Sequence, residues 1–480
     1  MRNAFTDSEG RFQFEGLPEG QLLLTAQKPG YFTREQENSG SPIHHVYVGP
    51  SLGAQTIKLV PQAAIFGRVT DASGQPIEHI ALRLSARSLR QGRKYWEQRG
   101  MSESDEDGHF RFANLMPGNY CLSVGPSQME GQILAAGEKP TSGFPHLYYP
   151  GVPDLASAAP IQLSPGQQAE ADFSLAPVPV YHVSGTISGQ VADQGVGLAL
   201  STLSGDELSL PTHFNSQLGT FNLDAVPAGS YLIKVFAQQG LQPLRAEMRV
   251  NVASNLENLH LALAPAVSIP IIVHLQPGAS SGSNSSSRTE DRPPISVALL
   301  PSQPSAAEAF STFEQRSPGH NVMVIQNVDP GGYTADLRPQ PPWYVQSATY
   351  GQANLLYDDI SVVSGQSYPM DIVLRDDSAS LTANVRWPDN AAQQRATLII
   401  VPQPASKLRP RVVQGVSNTF TETGLAPGEY LVFAFDQLAA LEYANPEALE
   451  PYASQAARVT LSANQKAQVT LDLIHLAQGE

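Results

Sequence analysis

The chain has 480 residues, 41% of them apolar and 15% charged. At roughly 100–150 residues per domain, three to five domains are expected. A net charge of −15 with no dense Lys/Arg patch excludes nucleic acid as a partner, because an acidic surface repels phosphate backbones.

The first pattern in chain order is TDSEGRFQFEGLPEGQLLL at 6–24. It returns as SDEDGHFRFANLMPGNYCL at 104–122. An Asp/Ser/Gly turn precedes alternating large apolar residues, then a Pro/Gly turn, then a second alternating run. Period-two alternation buries one set of side chains, and Pro before Gly suits the centre of a type II turn. Each copy is therefore expected to be a β-hairpin. Further copies stand at 219–235, 321–337 and 418–435. The tyrosine after the glycine turn recurs as Tyr120, Tyr231, Tyr333 and Tyr430, with Leu22 in the first copy. The alternation places these tyrosines in cores. Their spacing near one hundred residues is a domain period.

Units open alike, as at 65–86, and close alike, as at 161–175, 360–374 and 458–473. Many short strands with frequent turn signals point to all-β sandwiches. The expected boundaries are 1–62, 63–177, 178–265, 266–376 and 377–480. The polar tract 278–294 is expected to be a disordered loop in the fourth unit. Asn445, Pro446 and Glu447 signal a helix start in the fifth, with 448–456 expected to carry two turns. The first unit lacks opening strands, so it is expected to be an N-terminally incomplete sandwich. A signal peptide and further modules are expected upstream of Met1, since 1–10 has no signal-peptide character.

The pattern G-x-F-x-F-x-x-L-x-P-G-x-Y, clearest at 108–120 and 418–430, resembles the carboxypeptidase regulatory-like domain. That family has a transthyretin-like (prealbumin-like) β-sandwich in the carbohydrate-binding-like fold group. The stretches 144–175 and 344–366 also look like large exported repeat proteins common in Acidobacteria. The fourth unit departs most, with Asn321 and Met323 where Gly-x-Phe is expected. The resemblance implies a tandem array of Ig-like sandwiches, an extracytoplasmic location and accessory modules of no fixed ligand.

The residues argue against an enzyme. None of the eleven histidines is followed at the zinc-carboxypeptidase spacing by Glu, and H-E-x-x-H is absent. On a strand, His44 and His45 would point to opposite faces. Gly278-Ala279-Ser280-Ser281-Gly282 fits G-x-S-x-G, but the following polar tract is no helix, so a chance match is the reading. Asp105 and Asp107 before Gly108 lack the later bidentate acid of a calcium loop, and a solvated turn is expected there. The single cysteine, Cys121, forms no disulfide within the chain, and no cofactor is expected. No apolar run reaches membrane-spanning length; the best candidate, 262–275, contains Pro265, Pro270 and His274.

Loop aromatics are the candidate ligand contacts: Tyr95, Trp96, Phe144, Tyr148, Tyr149, Trp343 and Tyr344. Capping its own sandwich is the expected role for each, with ligand contact as the alternative. The expected function is a non-catalytic exported spacer or protein-interaction array at the cell envelope, with protein or glycan partners. The alternatives are a carbohydrate-binding protein using those aromatics, or an accessory module of a peptidase or outer-membrane receptor.

Overall fold

The computed structural model describes residues 2–33, 36, 43–49, 52–90, 92–128, 141–189, 195–240, 242–278, 293–302, 314–316, 323–363, 365–387, 396–436, 438 and 441–476. The G-x-S-x-G serines and most of the expected loop at 278–294 lie outside them. Strand makes up 60% of the structure and helix 4%, so the chain is all-β.

Four core clusters each draw on one stretch of buried residues: 63–175, 183–261, 267–374 and 379–471. Two sheets enclose each. In the first of these, His109–Leu115 pairs antiparallel with the opening strand Ala63–Asp71, whereas Gly118–Val124 pairs with Ala81–Arg90 in the facing sheet. The expected hairpin is therefore an arch: its two strands face each other across the core and share no ladder. The same holds three more times. Thr220–Pro227 lies on Val178–Ser188 and Gly229–Gln239 on Gly197–Thr202. Met323–Val328 lies on Val267–Gln276 and Gly331–Pro339 on Ile295–Pro301. Thr419–Leu425 lies on Ala379–Arg386 and Gly428–Phe435 on Ala396–Gln403. Alternation selects the buried face of a strand but is silent on which strand lies beside it.

Each arch is prepared by a β-bulge. Asn114, Ala225, Asn327 and Gly424 all have left-handed backbone, with φ between +57° and +76°. At that point the register with the opening strand slips. A bulge adds local twist and turns the strand out of its sheet. The arch glycines, Gly118, Gly229, Gly331 and Gly428, stand at φ +151° to +159°, which side chains disfavour and which lies far from the type II value expected. The repeated tyrosine then locks the corner. Tyr120, Tyr333 and Tyr430 donate their hydroxyls to the carbonyls of Met116, Asp329 and Ala426, at 2.7, 2.8 and 2.7 Å. Their rings are buried, as is that of Tyr231. Tyr120, Tyr333 and Tyr430 thus add their rings to the core while satisfying their polar ends on the turns they follow.

The last strand of every such unit returns parallel to its opening strand: Phe173–Leu175 beside Ala63–Asp71, Leu256–Ala262 beside Val178–Ser188, Met370–Arg375 beside Val267–Gln276, and Lys466–Asp472 beside Ala379–Arg386. In the first two pairs the closing strand comes very near a glycine. A methyl group on Gly67 or Gly185 would overlap the carbonyl of Ala171 or Leu259.

Residues 2–62 differ. They form two two-stranded sheets, Gly20–Thr25 with Ile43–Val48 and Tyr31–Thr33 with Leu59–Pro61. The stretch 11–15, counterpart of His109–Leu115, is not a strand, and no core cluster lies here among the described residues.

The last unit has a second apolar layer. Ile399, Val401, Phe433 and Phe435 face outward from its sheet and are covered by Leu441, Leu449 and Ile474. The helix there is shorter than expected. Asn445 caps it by accepting from the Glu447 N–H at 3.2 Å, but α-helix runs only Pro446–Leu449 before a 3-10 segment, Glu450–Gln455. Pro451 has no N–H for a second α turn.

Candidate functional site

The surfaces where units meet hold most of the buried charge. Strands Ala81–Arg90 and Arg93–Glu103 form a long hairpin, and Gly92 at its tip takes φ +77°. The tip reaches the fifth unit: the Gly92 carbonyl accepts from the Ala444 N–H at 3.0 Å, and Lys94 Nζ lies 3.6 Å from Glu442 Oε2. It also touches the fourth unit, where Arg93 Nη1 is 3.4 Å from Thr334 Oγ1.

Beneath that contact lies a polar network. Thr334 donates to Asp359 Oδ1 at 2.6 Å, and Lys407 of the fifth unit reaches Asp359 Oδ2 at 3.2 Å. Burial pushes the Asp359 carboxyl up, but the Thr334 hydroxyl and Lys407 outweigh it and hold the group below its ordinary value. Asp336 is buried, and two guanidiniums share one of its oxygens: Arg338 at 2.7 Å and Arg409 at 2.6 Å, both on Oδ2. Asp336 Oδ1 has no hydrogen-bond partner among the described residues.

The joint between the second and third units centres on Asp206, also buried. It sits in the tight turn after Gly197–Thr202, where its N–H donates to Thr202 Oγ1 at 3.1 Å. Its carboxylate accepts from Tyr148 and from Arg83, the latter at 3.4 Å. His146 Nε2 lies 3.9 Å away, and neither ring nitrogen of this buried histidine has a hydrogen-bond partner among the described residues. Burial holds the imidazole below its ordinary value; Asp206 offsets this only partly. Nearby Cys121 is buried, and burial, then Asp206, pushes its thiol up to about 12, so it stays protonated and inert.

Between the fourth and fifth units runs a cleft of about 610 Å³, within the range of ligand pockets. Its walls are the strand ends around Leu337–Pro339 and Tyr344–Gln346, the 403–410 loop and the last unit's arch. The Lys407 N–H donates to the Leu356 carbonyl at 2.6 Å, pinning that loop to the fourth unit.

Of the seven candidate ligand-contact aromatics, three are turned inward. Phe144 belongs to the 63–175 core, Tyr148 is bound to Asp206, and Tyr344 donates to Asp377 at 3.0 Å, each ring being buried. Apolar area and a satisfied hydroxyl favour the interior for such rings. Tyr344 still forms part of the cleft wall. Tyr95, Trp96, Tyr149 and Trp343 are half-buried; Tyr149 meets Phe173 edge-on at 5.9 Å, and Trp343 packs against the 267–374 core. The seven do not gather at one place. Arg338, Tyr357 and the pair Arg409 and Arg411 come to the cleft from three segments, and no local motif announces them.

At the acidic turn, Asp105 Oδ1 accepts from the N–H groups of Asp107 and His109 at 3.1 and 2.7 Å. Asp7 closes the equivalent turn of the first copy in the same way, as does Asp71 the turn after the opening strand Ala63–Asp71. The carboxylate's role there is to hold the turn.

No protein-family model and no curated protein matches the chain. Similar solved structures include the Bacillus anthracis TIE protein (11% identity, TM-score 0.17, 89% of this chain and 76% of that one). Another is the major pilin subunit of Bacillus cereus (9%, TM-score 0.16, 86% and 99%). A third is (S)-allantoin synthase (11%, TM-score 0.16, 25% and 43%). At that distance the likeness carries neither a structural nor a catalytic role to this chain, whose all-β character rests on its own ladders.

Proposed function

We propose that the chain is a non-catalytic β-sandwich scaffold of the carboxypeptidase regulatory-like type, divided at 62, 177, 265 and 376, which presents binding surfaces in a preset arrangement. The exported, cell-envelope setting follows from the sequence resemblance. The observation that carries the reading is the reach of the 81–103 hairpin from the second unit onto the fourth and fifth. A flexible spacer needs no such contact. A scaffold does, because fixing the joints beforehand removes their ordering entropy from later binding. With Lys94→Cys and Glu442→Cys, a short bis-maleimide is expected to join the two sites within one chain in high yield. Yield no better than for a pair placed on Gly53 and Glu442 sinks the scaffold reading.

A glycan-binding reading is favoured by the four half-exposed rings. It expects retention on an insoluble polysaccharide, weakened by Trp343→Ala; loss of retention for every glycan tried removes it.

A further inference from the structure

We propose that the cleft between the fourth and fifth units is a docking site for an acidic peptide segment. The first argument is charge. The chain is acidic overall, yet Arg338, Arg409 and Arg411 line this cleft together. Arg411 faces Glu422 at 3.9 Å, and Glu429 faces Arg458 at 3.9 Å. Arg338 and Arg409 have a single carboxylate between them, Asp336, and both bind the same oxygen. Among the described residues the wall itself therefore carries three guanidiniums and two carboxylates, with the Asp336 carboxylate buried behind Arg338 and Arg409. The Arg338 side chain is 52% exposed, so its donors can turn to an incoming group. Guanidinium forks recognise carboxylates in pairs of parallel hydrogen bonds.

The second argument is the rest of the lining. Leu356, Leu408, Pro339, Pro404 and Pro410 supply apolar walls, and Tyr357, 48% exposed, stands at the cleft with an available ring face. Apolar walls beside a few directed polar groups are what side chains of a short peptide need. The third argument is rigidity. Loop and strand ends are held by the Lys407-to-Leu356 backbone bond and by Asp359, so the cleft exists before a ligand arrives.

The inference builds on the scaffold reading but is tested separately. The probe is a fluorescein-labelled tetraglutamate peptide added to the full chain at low salt and followed by anisotropy, with tetraglutamine and tetragalacturonate in parallel. Saturable binding of tetraglutamate is expected, lost with added salt and absent for tetraglutamine. Arg338→Gln should weaken it about tenfold, the scale for a charged hydrogen-bond partner. Arg338 also binds buried Asp336, which keeps Arg409, so this variant should melt somewhat below the parent; Tyr357→Ala, which breaks no ion pair, gives the second measurement, with weakening expected. No saturable tetraglutamate binding overturns the proposal, as does binding unchanged in both variants. Binding of tetragalacturonate without tetraglutamate overturns it in favour of a glycan. In each case the bis-maleimide result on the 81–103 hairpin stands or falls on its own.

Discussion

The interiors of the units and the joints between them are closed by different chemistry. Inside, apolar side chains fill the space between two sheets, and the arch corner is secured by one neutral hydroxyl on a carbonyl. Between units, the closing groups are buried carboxylates, Asp206 and Asp336, each shared among several donors. Apolar burial is non-directional, so an interior tolerates adjustment. A buried carboxylate is directional and costly when left alone, so a joint built on one holds a single geometry or fails. A joint therefore sets orientation more sharply than it adds stability.

The largest test of that contrast is Asp206→Ala. It should destabilise the joint by about 3 kcal/mol, because Arg83 and the Tyr148 hydroxyl lose a buried partner. Hydrogen exchange should accelerate over 197–208 while the 379–473 core stays protected. Equal loss in both places would erase the distinction between joint and interior.

Gly67→Ala should come next, at about 2 kcal/mol, by forcing the closing strand away from the opening one. Urea denaturation followed by hydrogen exchange should place the loss in 63–175. Tyr430→Phe should cost about 1 kcal/mol, the value of one hydroxyl-to-carbonyl bond, and should leave the joints unchanged. A loss above about 3 kcal/mol would mean that the corner bond does more than close its turn.

The smallest effect at neutral pH concerns His146 and grows only with acid. Its pKa in the folded chain lies below the ordinary 6.5, so folding favours the neutral ring. Stability from this group is complete above 6.5 and declines as pH falls through that value toward the folded one. The groups around it are Asp206, Arg83, Tyr148 and Glu207. Thermal melts from pH 7 to pH 5 should show an acid-side loss for the parent that is reduced in His146→Gln. Identical acid profiles would remove His146 from the account.

Much of the architecture was legible in the sequence. The glycine and tyrosine of the arch stand out because their backbone and hydroxyl demands admit few substitutes, and the alternation marked Phe110, Phe112 and Leu122 as inward-facing. Sheet membership was not legible: a turn between two alternating runs reads the same whether the runs pair or face each other. The candidate site was legible only in part. Tyr148 and Tyr344 stood out as aromatic clusters in connecting segments, yet their hydroxyls are consumed by Asp206 and Asp377 from distant positions. Joints are made of side chains up to 348 residues apart, and no window on the sequence brings those together.

The parallel pairing of first and last strands has a mechanical consequence. Chain enters such a unit at one end of the ladder and leaves at the opposite end of the adjacent strand. Tension between neighbouring units therefore acts lengthwise along two bonded strands, and their hydrogen bonds must yield together instead of peeling one at a time. The ladder between Ala379–Arg386 and Lys466–Asp472 runs unbroken over seven residues, whereas the second unit's seam is split into two three-residue stretches, Gln168–Glu170 and Phe173–Leu175, beside Ala63–Asp71, so under a steady pull the second unit should give way at its seam before the fifth.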